Sequence, residues 1–335
     1  MFINWAHFII PKITFILSFI ANPVFVYLIR TEKVIQFGDY RYLLYFFAIF
    51  NLTASVVDIL IPACVYSYRY AAVFFIVDSV FSERSNFAPT LISLRCAFIA
   101  GTYGILNIHF IFRYNVLKNT SFVSHYFMPY GLILSIFLVI FHIGLWTFVV
   151  EPTMYSSDES RNYVRQAFQE EYGVDVNTIS TKIAVYAEAS SGIVFRAWIG
   201  TGVVTVIASY SMTLYFVLGY KFQIMSGLNQ GSATMSLKTA QMQKRLFWAL
   251  TIQTIIPICV SFMPVTLVLY GSAFCIDFPN WINWGSATAI SFFPFLDPLA
   301  IIMCLPALRQ RLGRKIGIRP SQVQVSSNQI NTIDG

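Results

Sequence analysis

Charge is what this 335-residue sequence has least of: Asp, Glu, Lys and Arg make up 11% of it and hydrophobic residues 57%. Soluble domains carry about a quarter charged residues, so a water-soluble globular chain is excluded. The little charge present also avoids long stretches. Tyr126 to Val150, Ala197 to Tyr220 and Leu246 to Tyr270 contain no Asp, Glu, Lys or Arg at all. Each exceeds the roughly 20 helical residues that cross a hydrocarbon core, and in lipid only a helix satisfies its own backbone. Catalytic patterns are lacking as well: there is no phosphate loop, no HExxH pair and no nucleophile elbow. His7, His109, His125 and His142 stand apart, with no second His, Cys or carboxylate at ligand spacing, so neither an enzyme nor a metal or other cofactor is expected. Cysteine is scarce. Cys64, Cys96, Cys259, Cys275 and Cys304 form no disulfide framework, although Cys64, Cys96 and Cys275 fall near the outer surface. A basic leader and a small-residue cleavage pattern are missing at the start, so the first apolar stretch reads as a signal anchor.

What is present is a series of seven apolar segments, at roughly 8–29, 42–64, 91–112, 126–150, 197–220, 246–270 and 281–305. Four of them contain a charge: Lys12 in the first, Asp58 in the second, Arg95 in the third and Asp297 in the seventh. A further run, Ala71 to Val77, is too short to cross and is placed in an extracellular loop. The expected fold is an all-α membrane protein, a seven-transmembrane helix bundle over residues 1–318, followed by a disordered cytoplasmic tail at 319–335 rich in Ser, Gln and Asn.

The net charge of +7 sets the orientation. With the N-terminus outside and the C-terminus in the cytoplasm, the inner loops hold Arg30, Lys33, Arg41, Arg113, Lys118, Lys221, Lys238, Lys244, Arg245, Arg309, Arg311, Arg314, Lys315 and Arg319, fourteen of the 22 Lys and Arg. They hold only Glu32, Asp39 and Asp334 among the acids. Basic residues resist translocation, so this end stays inside. Dispersed over short loops, the charge does not form a nucleic-acid face. The sequons at Asn51 and Asn119 fall in a span and in an inner loop, so neither is expected to be glycosylated.

The longest loop, about 151–196, carries Ser156 and Glu159 at capping-box spacing, then Tyr163, Val164, Ala167, Phe168 and Tyr172 at helical spacing until Gly173. This predicts a short amphipathic helix over the outer mouth; the alternative is a flexible acidic loop. After Pro306, Leu308, Leu312 and Ile316 recur every four residues beside Arg309, Arg311, Arg314 and Lys315. The segment reads either as a helix along the inner leaflet or as a plain stop-transfer anchor.

Three motifs carry a resemblance: His109-Phe110-Ile111-Phe112-Arg113-Tyr114 closing the third span; Gln243-Lys244-Arg245-Leu246-Phe247-Trp248-Ala249-Leu250 with Gln253, Thr254 and Pro257 opening the sixth; and Phe293-Pro294-Phe295-Leu296-Asp297-Pro298-Leu299 closing the seventh. Together they resemble the Str and Srj group of nematode seven-transmembrane chemoreceptors over about residues 10–310. The resemblance implies an olfactory-type G-protein-coupled receptor of chemosensory neurons, in the plasma membrane of the cilium, detecting a small environmental molecule and activating a heterotrimeric G protein. Phe112 stands where many relatives place Tyr, Arg113 lacks the preceding acid of rhodopsin-like receptors, and Ile301 stands where their Tyr follows the Asp297-Pro298 pair. The loop at 151–196 has no cysteine for the rhodopsin-like disulfide.

By depth, the candidate ligand residues are Asp58, Arg95, Tyr103, Trp198, Tyr270 and Trp284. Asp58 and Arg95 read equally as a structural pair, and Trp198 and Trp284 as interface anchors. The candidate coupling residues are His109, Arg113, Tyr114, Lys244, Arg245, Pro257, Asp297 and Pro298. Arg113 at the inner boundary suits either a partner's carbonyls and lipid phosphate or a simple anchor. His109 reads as a helix-packing hydrogen bonder. Asp297 must face the bundle and be paired or protonated, because an unpaired charge there costs about 2.5–3.5 kcal/mol. Pro257, Pro264 and Pro298 kink their helices as hinges or as static shape. The expected partners are a small-molecule ligand, membrane lipid and a G protein at loops 113–125 and 221–245 and the segment after Pro306. The competing class is a seven-span ligand-gated channel or transporter, possibly inverted, although no paired repeats are visible.

Overall fold

The computed structural model describes residues 3–32, 38–118, 125–230 and 237–315, without the side chains at 117 and 222–244. Asn119, the side chain of Lys244 and the tail expected at 319–335 lie outside the described residues.

Helix α1 (Trp5–Thr31) begins where the Asn4 side chain accepts a hydrogen bond from the His7 amide at 2.8 Å, the expected cap of a first turn. Its buried stripe is polar, with Thr14, Ser18 and Asn22, whereas Ile13, Ile16 and Ile20 are exposed. This inside-out pattern suits a lipid solvent, where packing and interhelical hydrogen bonds replace the hydrophobic effect between helices.

Helix α2 (Tyr40–Leu60) stops short of the 64 expected from hydropathy. Pro62 is the reason: Ile61, the residue before it, is pushed out of the helical region (φ −126°, ψ 68°), and the chain leaves as a strand. Strands β1 (Ala63–Tyr68) and β2 (Ala71–Ile76) form a hairpin, and β3 (Thr181–Val185) completes a three-stranded antiparallel sheet in the order β1-β2-β3. The short run Ala71 to Val77 is therefore the middle strand of a sheet. Its alternation shows why it is apolar throughout: Ala72, Phe74 and Ile76 pack on the bundle, while Ala71, Val73, Phe75 and Val77 pack on the opposite side.

That opposite side is covered by the helix of the long loop, α5 (Asp158–Tyr172). The helix is where the sequence periodicity put it, but its cap is one residue later. Ser157 accepts from the Ser160 amide at 3.2 Å, while Ser156 donates to the Thr181 carbonyl and Glu159 receives the Ser190 amide. Gly173 ends the helix at φ +70°. Phe168 is fully buried, edge-on to Tyr66 and Phe75.

The remaining spans are α3 (Ala88–Lys118), α4 (Phe127–Thr153) and α6 (Ser191–Gln230), then a sixth and a seventh that are both interrupted. The sixth comprises α7 (Leu237–Pro257), a wider π turn (Ile258–Phe262) and α8 (Met263–Ala273). The turn lies between Pro257 and Pro264, the two prolines expected to disturb it. The seventh comprises α9 (Asn280–Ile290) and α10 (Phe293–Cys304), which meet at a 58° bend. The break sits at Ser291 and Phe292 rather than at Pro298, because Pro294 is accommodated in the first turn of α10 and cannot continue α9. Among the described residues, six helices are long and apolar enough to span a membrane, and seven when the bent pair counts as one. Finally α11 (Pro306–Lys315) buries Leu308, and Arg311 donates to the Thr31 carbonyl and lies 3.6 Å from Glu32. A helix docked on the end of α1 replaces the plain anchor.

Candidate ligand cavity and inner-face cradle

Beneath the sheet, the bundle holds a narrow cavity of about 50 Å³. Ala63, Val65 and Phe74 of the hairpin form its cap, Ile92 to Ile99 of α3 one wall, and α4, α6, α8 and α9 the others. Almost everything facing it is apolar, except Arg95, Lys182, Cys96, the Trp146 indole and Ser286.

Arg95 is held by α2: its Nη2 donates to Asp58 Oδ1, and both side chains are about nine-tenths buried. Desolvation makes each charge depend on the other, so the pair is the form in which either survives at this depth. Arg95 and Asp58 also face a smaller adjoining polar cavity of about 20 Å³, with Thr102, Ser261 and Ser291. Lys182 comes down from β3 with its side chain 1% exposed. Its ammonium lies 2.9 Å from Glu151 Oε2 and donates to the Glu151 carbonyl at 2.9 Å. Burial pulls the Lys182 pKa below its usual value, and the carboxylate opposes that pull. Glu151 in turn accepts from Ser93 at 2.7 Å and Thr90 at 3.1 Å.

Of the six candidate ligand residues, then, Arg95 lines the main cavity, its partner Asp58 lines the adjoining one, and four line neither. Tyr103 stacks on Phe262 of the π turn, with ring centroids 3.7 Å apart. Trp198 donates to the Tyr186 carbonyl from a partly exposed site, Tyr270 shares a 2.7 Å hydrogen bond with Thr205, and Trp284 packs with the cluster between sheet and α5.

At the other end of α2 and α3 lies a second constellation. Arg113 is buried, its guanidinium 3.6 Å over the Tyr40 ring, rather than spread at the water boundary. Tyr40 and His109 Nδ1 share a 2.8 Å hydrogen bond, and Phe112 stacks on Tyr40. His109 thus packs helices, as its isolation in the sequence predicted. Tyr114 faces Lys221 at 6.0 Å, and Arg245 is exposed at the start of the apolar part of the sixth span. Between the two ends, fully buried Asp297 receives both long hydrogen bonds of the Gln253 amide, at 3.4 Å each. Pro257 introduces the π turn one helical turn away.

The spacing of these contacts is regular. Arg95 and Arg113 are eighteen residues apart on α3, and so are Tyr40 and Asp58 on α2. Eighteen residues make five helical turns, about 27 Å, so both arginines share one face of α3. One helix pair is clamped at both ends, by an ion pair at the cavity and by a cation–π contact at the far end.

Residues 1–312 match the family described as serpentine type 7TM GPCR chemoreceptor Srj. The chain belongs to that family. It is 35% identical over 336 residues to serpentine receptor class J-38 of Caenorhabditis elegans, covering 98% of this chain and 99% of that one. It is 24% identical to the C. elegans G-protein coupled receptor str-33, covering 87% and 84%, and 23% identical to serpentine receptor class r-10 of Caenorhabditis briggsae, covering 91% and 89%. This Srj chain is accordingly a multi-pass membrane protein of the chemoreceptor class. Motif reading missed Lys182, Glu151 and Trp146. Lys182 interrupts a short apolar strand, and a lone lysine there is a signal that hydropathy averages away.

Proposed function

We propose that this Srj chain is a chemosensory G-protein-coupled receptor: a small environmental molecule enters the cavity beneath the sheet, and a heterotrimeric G protein engages the opposite end. The excess of Lys and Arg at the α11 end supports an orientation with the N-terminus and sheet outside and the C-terminus in the cytoplasm. The site of action is the plasma membrane, in the cilium of a sensory neuron. The observation that carries this reading is the double clamp of α2 on α3, because Arg95 lines the cavity and Arg113 lies at the opposite, proposed G-protein end of one rigid element. Ligand at Arg95 weakens the clamp at one end; a G protein that takes Arg113 from Tyr40 opens it at the other. Differential affinity for the two states is all the mechanism needs. Tyr114 and Arg245 border that face, with α11 lying against inner-leaflet head groups.

The test is nucleotide exchange on a purified G protein by membranes from cells expressing the full chain, challenged with a panel of small odorants. A response that Arg113→Ala abolishes at unchanged surface level is expected. An ion current that persists without any G protein, or an N-terminal epitope hidden on intact cells, would refute the proposal.

A further inference from the structure

The main cavity has an uneven chemistry. Its lining contains two cations, Arg95 and Lys182, and no Asp or Glu. The carboxylates that balance them stand elsewhere: Asp58 faces the smaller neighbouring cavity, and Glu151 sits at the rim with 38% of its side chain exposed, where water screens it. Two buried N–H groups of the lining also have no acceptor among the described residues, Arg95 Nε and Trp146 Nε1, on residues 7% and 4% exposed. Buried donors almost always have partners, so a pair of orphans lining one cavity, from α3 and α4, asks for an explanation. Ser286, the hydroxyl on the lining, donates to its own helix at Ile282 and accepts from neither of them.

Resting on the receptor reading above, we propose that the ligand is a small apolar carboxylate, with its tail among the aliphatic walls and its head group accepting from Arg95, Trp146 and Lys182. An ammonium ligand would meet two cations. An alcohol brings one oxygen and a proton of its own, whereas a carboxylate brings two oxygens with about four acceptor sites and no donor. The three donors come from α3, α4 and β3, so the head group ties the cap strand to the bundle as it binds.

The test is direct binding to the full chain in lipid nanodiscs, without G protein, by saturation-transfer NMR against empty nanodiscs. Hexanoate is the probe, with hexanol and hexylamine as matched controls. Hexanoate is expected to bind at least about ten-fold more tightly than hexanol, and hexylamine not to bind. Trp146→Phe keeps the aromatic body and removes the N–H; it should weaken hexanoate about ten-fold and leave hexanol unchanged. The double change Lys182→Met with Glu151→Gln, which leaves no orphaned charge, should weaken hexanoate similarly. Equal or tighter binding of hexanol or hexylamine, or a Trp146→Phe variant that binds hexanoate like the parent, overturns the assignment. Hexanoate binding with no G-protein response to any compound would instead sink the receptor reading alone.

Discussion

The seventh span tests whether its bend depends on the first. Pro298 has no N–H, so the carbonyl of Pro294, four residues earlier, has no donor within α10. Asn22 of α1 supplies one: its Nδ2 lies 3.0 Å from that oxygen, and Ser18 Oγ adds a longer contact at 3.5 Å. Both α1 residues are fully buried. Hydrogen bonds between membrane helices contribute about 0.6–2 kcal/mol, because the unfolded chain in lipid finds other partners. Asn22→Leu is therefore expected to cost about 1–2 kcal/mol. Pro298→Ala restores the missing N–H, and in that background the carbonyl no longer needs Asn22, so the same substitution should cost about half as much. Asn51 also donates to Asn22, at 3.4 Å, but that loss is common to both backgrounds and cancels in the cycle. Denaturant titration of the four proteins in micelles gives the coupling energy. An Asn22→Leu penalty that is the same with Pro298 and with Ala at that position would refute the argument.

Three further outcomes follow from the same geometry. Asp58→Leu or Arg95→Leu alone should destabilise by about 3–5 kcal/mol by stranding a buried charge, and the double variant should recover most of it; additive losses in a thermal-stability cycle would contradict the pairing. Tyr40→Leu removes the ring over Arg113 and should raise basal nucleotide exchange several-fold, whereas Tyr40→Phe, which keeps the ring and loses the hydroxyl's contacts with His109 and Arg113, should raise it less. Cys64 is fully buried in β1 and its thiol is pushed up to about 12, so it should resist maleimide between pH 7 and 9, thiolate appearing only as pH nears that value; rapid labelling of Cys64 at pH 8 would count against the sheet.

Hydropathy located the spans because lipid imposes one structure on any long charge-free run, and Pro257 and Pro264 announced the break in the sixth, whereas the seventh breaks at Ser291 and Phe292 ahead of Pro294 and not at Pro298. It misplaced the end of α2 by averaging over Pro62, and it could not assign Ala71 to Val77 because a strand buried on both faces has no period for a pattern to detect. Asp58 with Arg95 was legible as a pair, since opposite charges at similar depth have few other places to go. Arg113 was not. An arginine at a helix end reads as exposed, and only the fold shows Tyr40 returning from α2 to cover it. The four aromatics chosen by depth lie off the cavity because depth does not specify which face of a helix looks inward, and Lys182 needed the sheet to exist before it could point anywhere.

The two clamps explain why a seven-helix chain without the acid that precedes the arginine in rhodopsin-like receptors need not lack a switch. Arg113 requires a neighbour that releases it; a ring does this with a weaker, less directional hold than a carboxylate, about 0.5–2 kcal/mol, and without leaving a buried anion behind. At the other end, the Asp58 pair is too costly to break outright, yet a second acceptor at Arg95 can share the guanidinium without stranding either charge. On the proposed reading, a ligand at the cavity shifts the relative position of α2 and α3, and the end with the weaker contact yields. Linkage makes this reciprocal: whatever a ligand at Arg95 does to the exposure of Arg113, a protein that captures Arg113 must do, by the same factor, to the affinity for that ligand.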